Sequence, residues 1–334
     1  MASSRRFPPD DIRAAVTRAI ARDAAGADAI VVALSGGRDS VALLDAVCAH
    51  AAPGGVRVAA AHVHHGLSGE ADRWARFCEE LCHTRGIAFA ATRVVVAPTR
   101  ADGVEAAARD ARYRALAAMA KAHGTDVVAL AHHADDQAET LLLQLVRGAG
   151  PAGLAAMPAR RMTAGITWLR PLIDVPRAAI DAYVAHHALA YVDDDSNASD
   201  RHKRNALRHA VVPALARLAP GYPRTLVRAA ALQAEAATLA DELAAVDANG
   251  ACDGHTLARE ALAALAPHRA RNLLRWFLRQ HGMRPPSAAR LRAMLAQLAH
   301  ARPGAAVDLR HDGCAIGVRA GRIVVSRPAA GPRA

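Results

Sequence analysis

The sequence predicts an α/β fold, a doubly wound and mostly parallel sheet, followed by a helical domain and a short C-terminal segment that contains strands. Short apolar runs alternate with stretches of helical periodicity in the first half of the chain. Clusters of polar residues follow several of these runs, as expected where parallel strands end. After residue 217 the sequence pattern becomes helical, and short strand-like runs follow near the C-terminus. We therefore predict three parts: 1–217, 218–302 and 303–334.

The first half supplies the elements of the sheet in order. Asp10 or Asp11 can cap a first helix, in which Ile12, Val16 and Ile20 recur about once per turn. Glycine and proline then separate the apolar runs from the helical stretches. The predicted elements are strands at 29–34, 56–63, 87–96 and 126–131, alternating with helices at 40–50, 68–85, 104–123 and 135–147.

The second half no longer alternates strands with helices. Residues 148–165 are rich in glycine and proline and predict a loop, and residues 218–223 are the best candidate for a linker. The remaining elements are predicted from periodicity and from short β-branched runs. They are helices at 176–187, 225–246, 257–280 with a break near Pro267, and 287–299, then strands at 307–310, 315–319 and 322–326.

Charge gives the first indication of function. The chain has 42 Lys and Arg residues against 31 Asp and Glu, a net charge of +11, and a pI of about 10.4. An excess of this size is typical of proteins that contact polyanions, because cations near phosphates release condensed counterions. The composition therefore favours contact with nucleic acid.

The placement of the cysteines and the hydropathy of the chain argue against metal-binding, secreted and membrane-spanning proteins. The five cysteines form no C-x-x-C pair, and Cys78 and Cys82 lie four apart in a helical stretch, where packing is the simpler interpretation. No run is apolar enough for a signal peptide or a membrane span. We therefore expect a cytoplasmic protein without a membrane partner and without a zinc or iron–sulfur site.

The most specific motif is SGGRDS at residues 35–40, between an apolar strand and a helix. Gly36 and Gly37 permit positive φ and close approach of an anion, and Ser35 and Ser40 add hydroxyl groups. The motif lacks the spacing and the lysine of a Walker A loop. It predicts a phosphate-binding loop, with a plain strand-to-helix turn as the alternative.

A second polar segment, His132–Thr140, follows the fourth predicted strand. Asp135 could cap the helix, which is the structural alternative. Asp136 and Glu139 are three apart and share one face, where two carboxylates could bind a metal ion or an ammonium group. His132 and His133 could contact phosphate or transfer protons, and their separate roles stay open.

The SGGxDS loop resembles that of the PP-loop ATP pyrophosphatases, which cleave ATP to AMP and pyrophosphate. The surrounding motifs, in order, resemble the tRNA(Ile)-lysidine synthetase family over about residues 28–215. They are HVHHGL, EAAARDARYRAL, AHHADDQAETLLLQLVRGAGPAGLAAM, RPLIDVPRAAI and DDDSNASDRHKRNALRH. His64 stands where that family more often has asparagine, and His268–Leu291 resembles its helical tRNA-binding domain more loosely.

This resemblance implies a reaction and its reactants. ATP adenylates the C2 oxygen of the wobble cytidine in the CAU-anticodon tRNA(Ile), releasing pyrophosphate. The ε-amine of free L-lysine then displaces AMP to form lysidine, which changes the codon read from AUG to AUA. The implied cofactors are ATP and Mg²⁺, and a homodimer is possible.

The resemblance also assigns roles to individual residues. Besides binding ATP, Asp39 would hold Mg²⁺ through the nucleotide. Arg112 and Arg204 would stabilise phosphate or the negative charge that develops on the base. The assigned sets are Ser35, Gly36, Gly37, Arg38, Asp39 and Ser40 for ATP; Asp136 and Glu139 for lysine; Asp39, Arg112, His133 and Arg204 for catalysis; and Arg201, Lys203 and Arg208 for RNA.

Three alternatives remain at this point. A PP-loop enzyme that thiolates tRNA would use the same loop, but such enzymes usually carry paired cysteines, and an amidotransferase such as GMP synthetase would need a glutaminase domain. The chain could also be a non-catalytic RNA-binding module. For the basic run at residues 201–208, a solvated helix face is the alternative to an RNA-facing role.

Overall fold

A computed structural model describes residues 10–64, 66, 69–95, 101–193, 203–300 and 307–327. Contacts divide the chain into two compact units, Met1–Leu232 and Gln233–Ala334. None of the described helices has both the length and the apolar character that a bilayer span requires.

The first unit is built on a six-stranded sheet. Its strands have the spatial order β3-β2-β1-β4-β6-β5, and all neighbours are parallel except β5 and β6. The predicted doubly wound, mostly parallel α/β fold is therefore confirmed. The strands are β1 (Ala29–Ala33), β2 (Arg57–His64), β3 (Ala88–Arg93), β4 (Val127–Ala129), β5 (Arg160–Thr163) and β6 (Ile166–Leu169).

Helices cover the sheet and continue beyond it. The helices are α1 (Asp10–Asp23), α2 (Arg38–Ala51), α3 (Ala71–Thr84), α4 (Ala101–Ala122), α5 (Ala134–Val146), α6 (Pro151–Leu154), α7 (Arg177–His186), α8 (Lys203–Ala206), a π-helical turn (Leu207–Val211) and α9 (Val212–Leu218). Most boundaries lie within a few residues of the predicted ones. The predicted loop at 148–165 is wrong in part, because it contains α6 and β5. All four residues of β5 are exposed, so this strand has no apolar pattern to indicate it.

Side chains of the central strands alternate between the two faces of the sheet, and each face has its own hydrophobic core. Ile30 and Val32 of β1 pack with α1, α2 and α7, whereas Val31 packs on the opposite face with α4. Val127 and Val128 of β4 divide in the same way. Successive side chains of a strand point to opposite faces, so continuous apolar runs indicate burial on both sides.

The second unit combines helices with a small antiparallel sheet of order β7-β10-β9-β8. Its elements are the end of α10 (Tyr222–Ala248), β7 (Thr256–Ala258), α11 (Arg259–Ala264), α12 (Pro267–Gln280), α13 (Ala288–His300), β8 (Asp308–His311), β9 (Cys314–Arg319) and β10 (Arg322–Ser326). Leu274, Phe277 and Ile316 are among the side chains that form its core.

One predicted helix of this unit is corrected. The stretch 257–280 is not a single helix, because it begins in β7 and breaks before Pro267. Asp253 accepts the backbone N–H groups of His255 and Thr256, at 3.0 and 2.6 Å, and this turn leads the chain into pairing with β10. The predicted break at Pro267 is confirmed, with proline at the start of α12.

A partly buried polar network links α2 to its neighbours in the first unit. The carboxylate of Asp45 accepts hydrogen bonds from the Tyr183 hydroxyl at 2.6 Å, from Arg85 at 3.0 Å and from Arg13 at 3.3 Å. Burial alone would raise the pKa of Asp45, but these donors and the arginine charges outweigh it and lower the pKa. Asp45 therefore stabilises the helix that follows the SGGRDS loop.

We expect Asp45→Asn to lower the free energy of unfolding by about 1.5–3 kcal/mol at pH 7, the usual worth of hydrogen bonds to a charged group. Because the folded-state pKa is depressed, this stabilisation is present above about pH 4 and is lost as the pH falls further. Urea denaturation of wild type and variant at pH 7 and at pH 3 measures it. The exposed Asp110→Asn is the control, and an equal loss at both pH values would contradict the charged role of Asp45.

Candidate functional site

The SGGRDS loop joins β1 to α2, and its shape requires glycine at position 36. Gly36 has φ of +87°, and a Cβ there would lie 2.9 Å from Cγ2 of Val192. The N–H of Val192 donates to the carbonyl of Gly36 at 3.0 Å. Gly37 is the N-cap of α2, so the first N–H groups of that helix face the loop without partners in the helix. The segment around Val192 thus closes one side of the loop.

The two serines hold the loop together. The hydroxyl of Ser40 donates to the carbonyl of Gly37 at 2.8 Å and accepts the N–H of Ser35 at 3.2 Å. The N–H of Gly37 donates to the hydroxyl of Ser35 at 3.3 Å. Ser40 is buried. Their hydroxyl groups therefore already have partners within the loop, and they fix its conformation.

A cavity of about 350 Å³ opens beside this loop. Its lining combines polar residues, among them Ser35, Asp39 and three histidines, with apolar side chains of β2, α3 and α4. A lining of this mixed kind suits a ligand that has both anionic and less polar parts. Its lining includes Ser35, Gly37, Asp39, Ser40, Ala61, His62, Val63, His64, Trp74, Arg112, Leu116, Leu130, His132 and Val192.

His133 links the loop to the start of α5. Its Nε2 lies 3.6 Å from Oδ2 of Asp39 and 3.5 Å from Oδ2 of Asp136. Burial disfavours the charged imidazole, but Asp39 and the other nearby carboxylates outweigh burial and raise the pKa of His133. Oδ1 of Asp39 is buried and has no hydrogen-bond partner in the described part of the chain. Asp39 therefore keeps one oxygen available for a ligand.

His132 differs from its neighbour in electrostatics. It lines the cavity, and burial, reinforced by the charges of Arg170 and Arg112, lowers its pKa to about 3. The imidazole is therefore neutral at pH 7. A neutral ring can exchange hydrogen bonds with a ligand without adding charge to the cavity.

The three acids at the start of α5 have different partners. Asp136 accepts the N–H of His133, the N-cap residue, at 3.1 Å through Oδ2. Asp135 does not cap its own helix, because its Oδ2 accepts the N–H of Arg177 at 2.8 Å at the start of α7. The Tyr222 hydroxyl donates to its other oxygen at 3.4 Å. Asp135 is thus a structural residue, in a way that the sequence did not indicate.

Asp136 and Glu139 form a carboxylate–arginine cluster with Arg204 and Arg208. Nε of Arg204 donates to Oε2 of Glu139 at 2.6 Å, and Nε of Arg208 donates to Oε1 at 2.5 Å. Both guanidinium groups also contact Oδ1 of Asp136, at 3.0 Å from Arg204 and 3.4 Å from Arg208. Burial would raise the pKa of Asp136, but the nearby His133 and Arg204 charges outweigh it and lower the pKa. The two predicted carboxylates therefore share a face, as expected, and both already have cationic partners.

The remaining predicted residues lie elsewhere or outside the described residues. Arg38 is paired with Asp181 of α7 at 2.5 Å and lies over the ring of Tyr191, away from the cavity lining. Arg201 falls outside the described residues, as does the side chain of Lys203. The sequence did not indicate that Trp74 and Val192 line the cavity, because apolar residues carry no chemical signature.

Known protein families match both halves of the chain. Residues 10–215 match the model of the PP-loop domain, and residues 257–324 match the TilS substrate binding domain. The tRNA(Ile)-lysidine synthase of Burkholderia pseudomallei is 48% identical over 85% of this chain and 58% of its own length. The enzyme of the same name from Ralstonia nicotianae is 45% identical over 92% of this chain and 67% of its own length.

Solved structures agree on the fold. The U34-tRNA thiolase NcsA from Methanococcus maripaludis superposes with a TM-score of 0.57 at 16% identity, over 68% of this chain and 79% of that one. At this identity the similarity supports the fold alone. The curated relatives are longer than this chain, which spans about 58% of the first of them. By its sequence matches, the chain belongs to the tRNA(Ile)-lysidine synthase family of PP-loop proteins.

Proposed function

We propose that this chain ligates free L-lysine to C2 of the wobble cytidine in the CAU-anticodon tRNA(Ile), with ATP as the activating reactant. The observation that carries the proposal is the juxtaposition of the SGGRDS loop with Asp136 and Glu139. His133 bridges the two, since it lies within 3.6 Å of Asp39 and Asp136. An anion-binding loop that a single histidine joins to a pair of carboxylates fits a reaction between ATP and an amine.

ATP use follows from membership of the PP-loop family. We infer that the phosphates lie on the loop backbone between Gly36 and Asp39, where the N–H groups of the first helical turn favour negative charge. The adenosine would occupy the apolar part of the cavity, against Trp74 and Leu116. Ser35 and Ser40 keep the loop in this conformation through their hydrogen bonds.

We further propose that Asp39 holds Mg²⁺ together with the nucleotide. Its buried Oδ1 has no hydrogen-bond partner among the described residues, which suits an oxygen ligand of a hard cation. Among the described residues no group of three or more metal-ligating side chains comes together. Mg²⁺ is usually bound by one or two carboxylates together with substrate phosphates and water. When bound, the metal would neutralise charge on the phosphates.

The chemistry requires activation before ligation. The C2 oxygen of cytidine is a poor leaving group, and transfer of AMP to it with loss of pyrophosphate makes it a good one. Attack by the lysine ε-amine then forms the C–N bond, releases AMP and leaves a proton for a base to accept. We assign Arg112, in the cavity lining, and Arg204 to the negative charge that develops on phosphate and base.

Lysine recognition is assigned to Asp136 and Glu139. Glu139 is only 4% exposed, and a buried carboxylate is a strong partner for an ammonium group once other cations withdraw. The RNA would approach the basic segment that includes Arg208 and, by the same proposal, Arg201 and Lys203. The relatives act on tRNA by name, and the net charge of +11 suits a polyanionic substrate. We place this reaction in the cytoplasm, with tRNA, ATP and free lysine.

The described cysteines support this assignment over tRNA thiolation. Cys78 lies directly beneath the loop, with Sγ 3.2 Å from the Cβ position at Gly36, but it is fully buried. Burial raises the pKa of Cys78 to about 12 and that of Cys82 to about 11, so neither is a thiolate at pH 7. Cys78 and Cys82 therefore fit a packing role better than a role in sulfur transfer.

The proposal is tested by pyrophosphate release from ATP with the purified chain, CAU-anticodon tRNA(Ile) and each free amino acid in turn. We expect release that depends on this tRNA, and transfer to the RNA with lysine alone. Release without lysine transfer would keep adenylation and redirect the search to another nucleophile. No release in any combination would favour a non-catalytic RNA-binding module.

We expect Asp136→Asn to raise the KM for lysine by about tenfold to a hundredfold, the equivalent of a charged hydrogen bond of about 1.5–3 kcal/mol. Asparagine keeps an oxygen that can accept the N–H of His133, so the helix cap survives while the charge is lost. The affinity for ATP should change little. Steady-state kinetics beside the control Asp110→Asn measures the effect, and an unchanged KM for lysine would overturn the assignment.

A further inference from the structure

We infer that His64 selects adenine in the nucleotide site, because its Nδ1 accepts a hydrogen bond from the exocyclic amine of the base. The inference rests on the proposed placement of adenosine in the cavity beside the SGGRDS loop. It goes further by assigning base selectivity to one side chain and by stating which nucleotides the cavity rejects.

The His64 ring is held at one edge by two neighbouring elements. His64 is the last residue of β2 and is only 7% exposed. Its Nε2 lies 3.0 Å from Oδ1 of Asp72 in α3. The same carboxylate oxygen accepts a hydrogen bond from Arg93, at the end of β3, at 2.7 Å. These contacts fix the orientation of the imidazole.

The contact with Asp72 also defines the chemistry of the other ring nitrogen. A carboxylate only accepts hydrogen bonds, so Nε2 of His64 carries the proton that Asp72 accepts. In the neutral ring, Nδ1 is then an acceptor. Among the residues that the structure describes, Nδ1 is buried and has no donor. A buried acceptor without a partner costs free energy, so the site favours a ligand that brings a donor.

The preceding histidine on the same face of β2 provides a contrast. Nδ1 of His62 lies 2.9 Å from the carbonyl oxygen of Leu34, at the end of β1. His62 therefore links the two strands through the nitrogen that is unpartnered in His64. Both histidines line the cavity, and His64 is the one whose Nδ1 has bonding capacity left for a ligand.

The strand order assigns His64 to the part of the cavity that receives the base. The order β3-β2-β1-β4 puts β2 and β4 on opposite sides of β1. Asp39, which follows β1, lies 3.6 Å from His133, which follows β4, and we assign the phosphates and the reacting groups to this side. The base is then left to the side of β2, where His64 and Trp74 line the cavity. Trp74 and Asp72 belong to the same first turn of α3, so one turn supplies both an aromatic wall and the anchor of His64.

The hydrogen-bonding groups of the nucleotide determine which part suits Nδ1 of His64. Phosphate oxygens are acceptors, so they are poor partners for the lone pair of Nδ1. Adenine carries an N–H donor at C6, whereas guanine has a carbonyl oxygen at that position and would place a second acceptor against His64. A site built to hydrogen-bond one group of a ligand rejects analogues that lack it. The ribose hydroxyls can also donate, so the test must separate them from the amine.

The test is nucleotide binding to the full 334-residue chain in the presence of Mg²⁺, measured by isothermal titration calorimetry. The probes are ATP, GTP, purine riboside triphosphate, which lacks only the amine, and 2′-deoxy-ATP, which lacks one ribose hydroxyl. For wild type we expect purine riboside triphosphate to bind about tenfold more weakly than ATP, the equivalent of one hydrogen bond to a buried group. GTP should bind more weakly still.

Variants of the acceptor assign the preference to one atom. For His64→Leu, which removes the acceptor, we expect ATP and purine riboside triphosphate to bind equally. His64→Asn keeps an oxygen near the position of Nδ1 and should retain most of the preference for ATP. His83→Leu, at an exposed histidine near the other end of α3, is the matched control and should behave as wild type. Thermal unfolding checks that each variant is folded.

Further outcomes separate this inference from the proposed function. Equal binding of ATP and purine riboside triphosphate by wild type would overturn the role of His64 and leave the ATP site intact. A preference for ATP that persists in His64→Leu would also overturn it, because another group would then accept the amine. A loss of affinity with 2′-deoxy-ATP that disappears in His64→Leu would contradict it, because Nδ1 would then bind the ribose. Absence of binding by every nucleotide would overturn the ATP site itself.

Discussion

The parallel pairing of β1 with β4 is the constraint on which the rest of the site depends. Val31 pairs with Val128, and Val32 with Ala129, so both strands end at the same edge of the sheet. The chain leaves β1 as the SGGRDS loop and leaves β4 as the segment that begins α5. Asp39 and His133, 94 positions apart in the sequence, thereby come within 3.6 Å of each other. A shift of register would separate the anion-binding loop from the carboxylates.

The site also depends on how its buried charges are paired. A carboxylate as enclosed as Glu139 is costly unless it is paired and hydrogen-bonded, and here two arginines meet that requirement. Asp45 is a contrasting case. The donors to its carboxylate, Tyr183, Arg13 and Arg85, are all structural partners within the fold. Its network therefore stabilises the fold.

The sequence predicted the fold and located the segments that form the site, because periodicity and glycine placement report local structure. It could not predict contacts between residues far apart in the chain. Arg208 and Glu139 are 69 positions apart, and no local pattern reveals that they pair. Arg38 belongs to the nucleotide loop, yet its side chain is paired with Asp181 on another helix. The exposed strand β5 was missed for the related reason that its stability comes from pairing with β6. The catalytic and binding roles of individual residues stay predictions.

The most direct test of the account follows the lysine itself. The purified chain is incubated with CAU-anticodon tRNA(Ile), ATP and isotopically heavy L-lysine, and the nucleosides of the digested RNA are analysed by mass spectrometry. The account predicts the heavy lysine on the wobble cytidine, with the base at that position converted only when ATP is present. An unmodified wobble cytidine despite consumption of ATP, or sulfur in place of lysine, would contradict it.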